Sequence, residues 1–163
     1  MKTATLPVLL LGLLAFGPLQ AAPQHDHAAH AAYDGQPVPL PAPRWSAGAT
    51  LREGMGRIHA ALEELRHYEM GHMDATMALA RVGLIEAAVS DLFAHCRLGP
   101  EQDAVVHRML VPLLDDARRL RVDPRDMAEV AAMRRDVADY PRYFDDPGWS
   151  ADAAPMPAMA HGH

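Results

Sequence analysis

The sequence predicts an all-α fold, a single antiparallel up-down-up-down four-helix bundle with disordered N- and C-terminal tails. Apolar residues recur every three or four positions in four segments between residues 50 and 141. Short breaks rich in Gly, Asp and Pro separate these segments, and both ends of the chain are rich in small residues and proline. Because the connections are short, consecutive helices are expected to lie side by side and antiparallel.

The first 21 residues predict a cleavable export signal. Lys2 supplies the positive charge, and Leu6 to Phe16 is an apolar run too short to span a bilayer. Cleavage is expected after Ala21, with Ala22 as the alternative. Since no later apolar run reaches the length of a membrane span, we expect a periplasmic protein with no membrane insertion after processing.

Charge and composition exclude several classes of function. The chain has 15 Lys and Arg against 21 Asp and Glu, so it would repel nucleic acid and anionic membranes. Cys96 is the only cysteine and cannot form an intrachain disulfide, and its apolar position favours a buried structural thiol over a reactive one. No phosphate loop, nucleophile elbow or pair of catalytic carboxylates is present, so we expect no enzyme activity.

The bundle is expected to occupy residues 50–149. Residues 22–49 form a predicted disordered linker rich in His and Pro, because alternating prolines favour extended chain and little apolar surface is available. Residues 150–163 form a predicted disordered Met/His tail. A short aromatic segment, residues 140–149, is expected to fold back as an irregular cover over one end of the bundle.

Capping signals predict the helix ends. The first helix is expected from Thr50 to about Met70, and Asp74 is expected to cap a second helix ending at Leu98 and Gly99. Four prolines mark the later helices. These helices are expected to begin at Pro100 and at Asp123–Pro124, with a kink or a local loss of one hydrogen bond at Pro112 and an end near Tyr140–Pro141.

This topology divides the histidines between two ends of the bundle. One end is expected to hold His59, His95, Cys96 and His107, and the other to hold His67, Met70, His72, Met73, Met77 and Met127.

The run HYEMGHM, residues 67–73, is the densest set of potential metal ligands in the ordered region. Imidazole and thioether suit copper, because methionine prefers Cu(I) and histidine accepts either oxidation state. A turn at Gly71 would bring the later residues beside the earlier ones, which predicts a site of His67, Met70, His72 and Met73. The alternative is that the methionines fill the core and the histidines are solvated.

Both tails carry further His and Met residues, a composition that collects copper or nickel without a fixed site. The predicted tail ligands are His25, His27, His30, Met156, Met159, His161 and His163.

Four stretches resemble a group of small exported bacterial proteins labelled DnrO. They are GMGRIHAAL (54–62), HYEMGHMD (67–74), FAHCRLGPEQDAVVH (93–107) and YPRYFDDPGW (140–149). The resemblance covers about residues 51–149 and excludes both tails. It implies an exported helical domain, and it carries over no activity or site residue.

Two functions follow from the sequence. In the first, a periplasmic protein binds copper and buffers it or hands it on in metal homeostasis or resistance. In the second, a cofactor-free helical adaptor docks a periplasmic protein through exposed aromatics of the segment Tyr140 to Trp149 and through Asp145 and Asp146.

Overall fold

The computed structural model describes residues 38–152, and the side chains of residues 38–149. Most of this part of the chain is helical, which confirms the predicted helical class, and four long helices contribute most of the core. A short parallel strand pair, which the sequence does not predict, joins the two ends. The elements are β1 Trp45–Ser46, α1 Ala49–Glu69, α2 Ala75–His95, α3 Pro100–Val122, α4 Ala128–Val137, α5 Tyr140–Tyr143, β2 Phe144–Asp145 and α6 Pro147–Asp152.

The predicted export signal and most of the Met/His tail lie outside the described residues, and α6 extends into the first three positions of that tail. Within residues 38–152 no helix is both long and apolar enough to cross a membrane.

The turn between α1 and α2 forms where the sequence predicts it. Gly71 has a φ of 74°, a left-handed conformation that glycine adopts without steric cost. The N–H of His72 donates to the carbonyl of His67 at 2.8 Å, which closes the turn. Asp74 then caps α2 by accepting the N–H of Met77 at 2.8 Å, so the predicted N-cap is confirmed.

The start of α3 is also as predicted. Pro100 is its first residue, and the side-chain oxygen of Gln102 accepts the N–H of Gly99 at 3.1 Å. Pro112 lies inside this helix, which continues through it as one element to Val122.

The predicted start of the fourth helix at Asp123–Pro124 is wrong. Asp123 ends α3, and α4 begins only at Ala128. The reason is local hydrogen bonding: Asp123 accepts the N–H of Arg125 at 3.1 Å, and Asp126 accepts the N–H of Ala128 at 3.1 Å. These two short turns satisfy the backbone without a helix, which is the alternative that aspartate side chains offer.

The core lies between the four long helices. Helix α1 packs against α2 and α4, and α3 packs against the same two helices. Gly54 of α1 packs tightly against α2, because a Cβ atom at this position would lie 2.4 Å from the Cδ2 of Leu92. The fully buried side chains include Met55, Ile58, Leu62, Leu65, Val82, Ile85, Val89, Leu110, Leu113 and Leu120.

The segment predicted as a disordered linker, residues 22–49, makes specific contacts with the fold in the part that the structure describes, residues 38–49, although most of those residues are exposed. Val38 is buried, and its carbonyl accepts the hydroxyl of Tyr143 at 2.9 Å. Arg44 binds Asp145 at 2.8 Å and donates to the carbonyl of Pro141 at 2.9 Å. The prolines fix the backbone without preventing these contacts, and Val38 and Trp45 supply apolar anchors that the average composition conceals.

The aromatic segment that follows α4 covers the core, but it is not exposed as the adaptor hypothesis requires. Tyr140 and Phe144 are 0% and 1% exposed, and their rings stack with centroids 5.2 Å apart. Trp45 packs on Phe144 at 5.5 Å and on Tyr143 at 6.0 Å. We name residues 38–46 together with 140–146 the terminal clasp, because they join the two ends of the described chain.

Candidate functional site

The structure brings together two of the four residues predicted as metal ligands in the α1–α2 turn. His67 lies on the last turn of α1, His72 follows the reversal at Gly71, and both are exposed. Their ring centroids are 6.4 Å apart, with an angle of 35° between the planes. This separation is close to the span of two imidazoles that bind one ion through metal–nitrogen bonds of about 2.0 Å.

The two methionines of the predicted site have different surroundings. Met70 is the C-cap residue of α1, lies between the two histidines in sequence and is 55% exposed, so its thioether is accessible. Met73 is partly buried and packs against the hydrophobic core, as the alternative interpretation of the sequence expects. The pair of imidazoles and the Met70 thioether are therefore the accessible part of the predicted ligand set.

Carboxylates and thiolates do not complete this set. Among residues 38–149 no three His, Cys, Asp or Glu side chains are grouped so that they could hold a metal ion. Glu69, the nearest carboxylate in sequence, forms an ion pair with Arg134 of α4 at 2.6 Å. Methionine sulfur combined with imidazole is a ligand set that favours copper over hard cations.

The turn is attached firmly to the rest of the fold. Tyr68, which is buried, donates its hydroxyl to the carbonyl of Pro124 in the α3–α4 connection. The Glu69–Arg134 ion pair adds a second link, from α1 to α4. These contacts fix the last turn of α1, which carries His67 and Met70 on its surface.

The other predicted group of histidines does not converge. The ring of His59 packs against Trp149 with centroids 4.5 Å apart, and His107 stacks on Phe93 at 4.5 Å and 12°. The Nδ1 atom of His95 lies 3.1 Å from the carbonyl of Asp91 in its own helix. Each histidine thus has its own ring or backbone neighbour.

Cys96 is partly buried at the end of α2 and packs against the core. Burial, with a smaller contribution from the negative charge of Asp103, raises the pKa of the Cys96 thiol. The thiol therefore stays protonated near neutral pH, which supports a structural role and disfavours a nucleophile.

The structure also contains a cleft that the sequence does not predict. It has a volume of about 670 Å³ and lies between the first half of α1 and the start of α6. The spacing of its α1 residues was visible in the sequence, but the opposite wall becomes apparent only when residues distant in sequence are brought together. The lining residues are Ala49, Arg52, Glu53, Gly56, His59, Asp146, Pro147, Gly148 and Trp149.

The remaining predicted ligands belong to the tails and lie outside the described residues. They are His25, His27, His30, Met156, Met159, His161 and His163.

No family model, curated protein or solved structure matches this chain.

Proposed function

We propose that this protein is exported to the periplasm and binds copper, which it buffers or hands on. The observation that carries the proposal is the His67–His72 pair, whose ring centroids are 6.4 Å apart across the turn at Gly71. Together with the exposed Met70, which lies between them in sequence, these imidazoles would form a donor set suited to copper.

The exposure of the donor set favours exchange of the ion over permanent storage. His67 and His72 are both exposed, and Met70 is more than half exposed, so a ligand from another molecule could reach the ion directly. A structural metal site is normally closed by four protein ligands, whereas this one leaves part of the coordination sphere open. Transfer to an acceptor protein or to a chelator is therefore the expected behaviour.

We further propose that the four long helices form an up-down-up-down bundle, which places three further methionines at one end. The Tyr68–Pro124 hydrogen bond and the Glu69–Arg134 ion pair support this arrangement, because they join the end of α1 to α4 and to the connection before it. Met73, Met77 and Met127 lie in or beside the two connections at that end, and the last two are 46% and 41% exposed.

The tails would add to the capacity for metal in this proposal. Their histidines and methionines suit copper, and we expect them to bind it more weakly than the preorganised pair at the turn. We therefore expect one ion of higher affinity at the turn and additional ions of lower affinity on the tails.

The test is a titration of the full mature chain with Cu(I), in competition with a coloured chelator. In a background where the predicted tail ligands, both histidines and methionines, are replaced by serine, one equivalent of Cu(I) should bind. The double substitution His67→Ala with His72→Ala should weaken that equivalent by 100-fold or more, about 10-fold for each lost ligand. The matched control is His95→Ala, an exposed histidine on another part of the fold, which should leave binding unchanged.

Two results would contradict the proposal. If the double variant binds Cu(I) as tightly as the parent chain, the turn is not the site. If neither the parent nor the tail-substituted chain competes with the chelator for Cu(I) or Cu(II), the protein is not a copper-binding protein.

A further inference from the structure

The cleft beside α1 is separate from the proposed copper site. Its helical wall is formed by residues that recur every three or four positions from Ala49 to His59, whereas His67 lies near the other end of the helix and His72 in the turn after it. Its volume of about 670 Å³ falls within the range of about 300–1,000 Å³ that is usual for small-molecule sites.

Glycine keeps the cleft open. Gly56 lies in the interior of α1, where glycine costs about 0.5–1 kcal/mol of stability relative to alanine. Packing does not require a glycine there, because a Cβ atom at this position would have no other atom within 4 Å. The missing side chain leaves room between Arg52 and His59, its neighbours along the lining face.

One end of the cleft is aromatic. Trp149 is half-buried, and its ring packs against His59 with centroids 4.5 Å apart and against Tyr140 at 4.8 Å. These contacts hold the indole in place at the cleft. Tryptophan is the side chain whose ring face attracts cations most strongly.

Carboxylates outnumber cations in the lining. Asp146 is only 4% exposed, and its carboxylate accepts the Tyr140 hydroxyl and the Gly148 N–H, each at 2.9 Å. Glu53 adds a second negative charge, while the guanidinium of Arg52 donates to the carbonyl of Ala47 at 2.5 Å. A positively charged ligand would therefore be favoured over a neutral or negative one of the same shape.

We propose that this cleft binds a small organic cation, an ammonium compound with an aromatic or hydrocarbon body. The body occupies the space beside Gly56 and Trp149, and the ammonium group is attracted by the indole face and by the carboxylates of Glu53 and Asp146. This inference does not rest on the copper proposal.

The test compares three probes of nearly equal shape on the full mature chain: benzylammonium, benzyl alcohol and benzoate. The chain has two tryptophans, so the indole N–H signals of Trp149 and Trp45 can be followed separately by NMR. Benzylammonium should shift the Trp149 signal saturably and leave that of Trp45 unchanged. It should bind about 5- to 30-fold more tightly than benzyl alcohol, and benzoate should bind most weakly.

Two substitutions locate the site. Gly56→Leu fills the cleft and should weaken benzylammonium binding by 10-fold or more. Ala60→Leu places the same side chain at an exposed position of α1 outside the lining and should not weaken it. Glu53→Gln should reduce the preference for benzylammonium over benzyl alcohol. Equal binding of the three probes, tighter binding of benzoate, or binding that survives Gly56→Leu would overturn the proposal.

Discussion

Replacing Gly54 by alanine tests whether the close approach of α1 and α2 stabilises the fold. The added Cβ would lie 2.4 Å and 2.5 Å from the Cδ2 and Cγ atoms of Leu92, which is only 2% exposed and has little room to move. Overpacking of this kind costs about 1–3 kcal/mol. The same substitution also gains up to about 1 kcal/mol in helix propensity, so its net effect alone would be ambiguous.

The matched substitution Gly56→Ala removes that ambiguity. Gly56 lies in the same helix, and its added Cβ would meet nothing within 4 Å, so it reports the propensity gain without the clash. The two variants should differ by about 1–3 kcal/mol in the free energy of unfolding, with Gly54→Ala the less stable. Thermal denaturation followed by circular dichroism should show Tm values that differ by roughly 4–12 °C.

A double-mutant cycle identifies the contact. Leu92→Ala removes the side chain that the new methyl group would overlap, so it should cost less in the Gly54→Ala background than in the parent chain. If Gly54→Ala is as stable as Gly56→Ala, or if the two substitutions at 54 and 92 are additive, the close approach of the helices does not require glycine.

Three further outcomes are expected. Gly71→Ala should cost about 1–2 kcal/mol in the free energy of unfolding and weaken Cu(I) binding, because φ is 74° at this position. Asparagine tolerates this conformation better, so Gly71→Asn should lose less stability and less Cu(I) affinity. Chemical denaturation measures the stability, and competition with a chelator measures the affinity. Asp74→Ala removes the N-cap of α2 and should lower stability by about 0.5–2 kcal/mol in the same denaturation assay, whereas Asp74→Ser should retain most of it. Burial raises the pKa of Asp136, so the contribution of this group to the free energy of unfolding is favourable below its usual pKa of 3.8 and is lost as pH rises through the folded-state value. The Tm of Asp136→Asn relative to that of the parent chain should therefore increase from pH 3 to pH 7. A Tm difference that does not change with pH would contradict this sign.

Local signals in the sequence were sufficient for both ends of α1 and for the starts of α2 and α3, whereas α2 ends at His95, before the predicted end at Leu98–Gly99. The Asp74 cap and the Pro100 start involve residues within one turn of each other, so their chemistry is visible in a short stretch of sequence. The same reasoning failed at Asp123–Pro124, where the cap-and-proline pattern is present. There the side chains of Asp123 and Asp126 bond to nearby backbone in turns, a competing use of the same residues.

The proposed copper site was also local, and this explains how much of it could be predicted. His67 and His72 are five residues apart, and the turn between them depends on Gly71, so the sequence contained the information that brings the rings together. The burial of Met73 depends on the other helices packing around it. That part could not be inferred from spacing alone.

The terminal clasp and the cleft could not be predicted, because the residues that form them are distant in sequence. Their contacts join residues far apart in the chain, such as Arg44 with Asp145 and Val38 with Tyr143, and no periodicity in either segment specifies the partner. The composition of the first segment indicated disorder, because its prolines outnumber its apolar anchors. Packing against the aromatic segment near the other end of the chain buries the apolar residues of the first segment, and the composition of the first segment alone does not indicate this burial.

The span of the terminal clasp implies an order of folding. The contacts of Arg44 and Tyr143 close loops of 101 and 105 residues, and closing a loop of this length in an unfolded chain costs about 4 kcal/mol in entropy. The α1–α2 and α3–α4 pairs close much shorter loops and can form first. Their formation shortens the stretch of unfolded chain between the two halves of the clasp. The clasp is then the last part to form and the first to open. Asp146 belongs to the clasp, and Trp149 follows it in the chain. A ligand bound in the cleft would therefore keep the clasp closed and slow its opening.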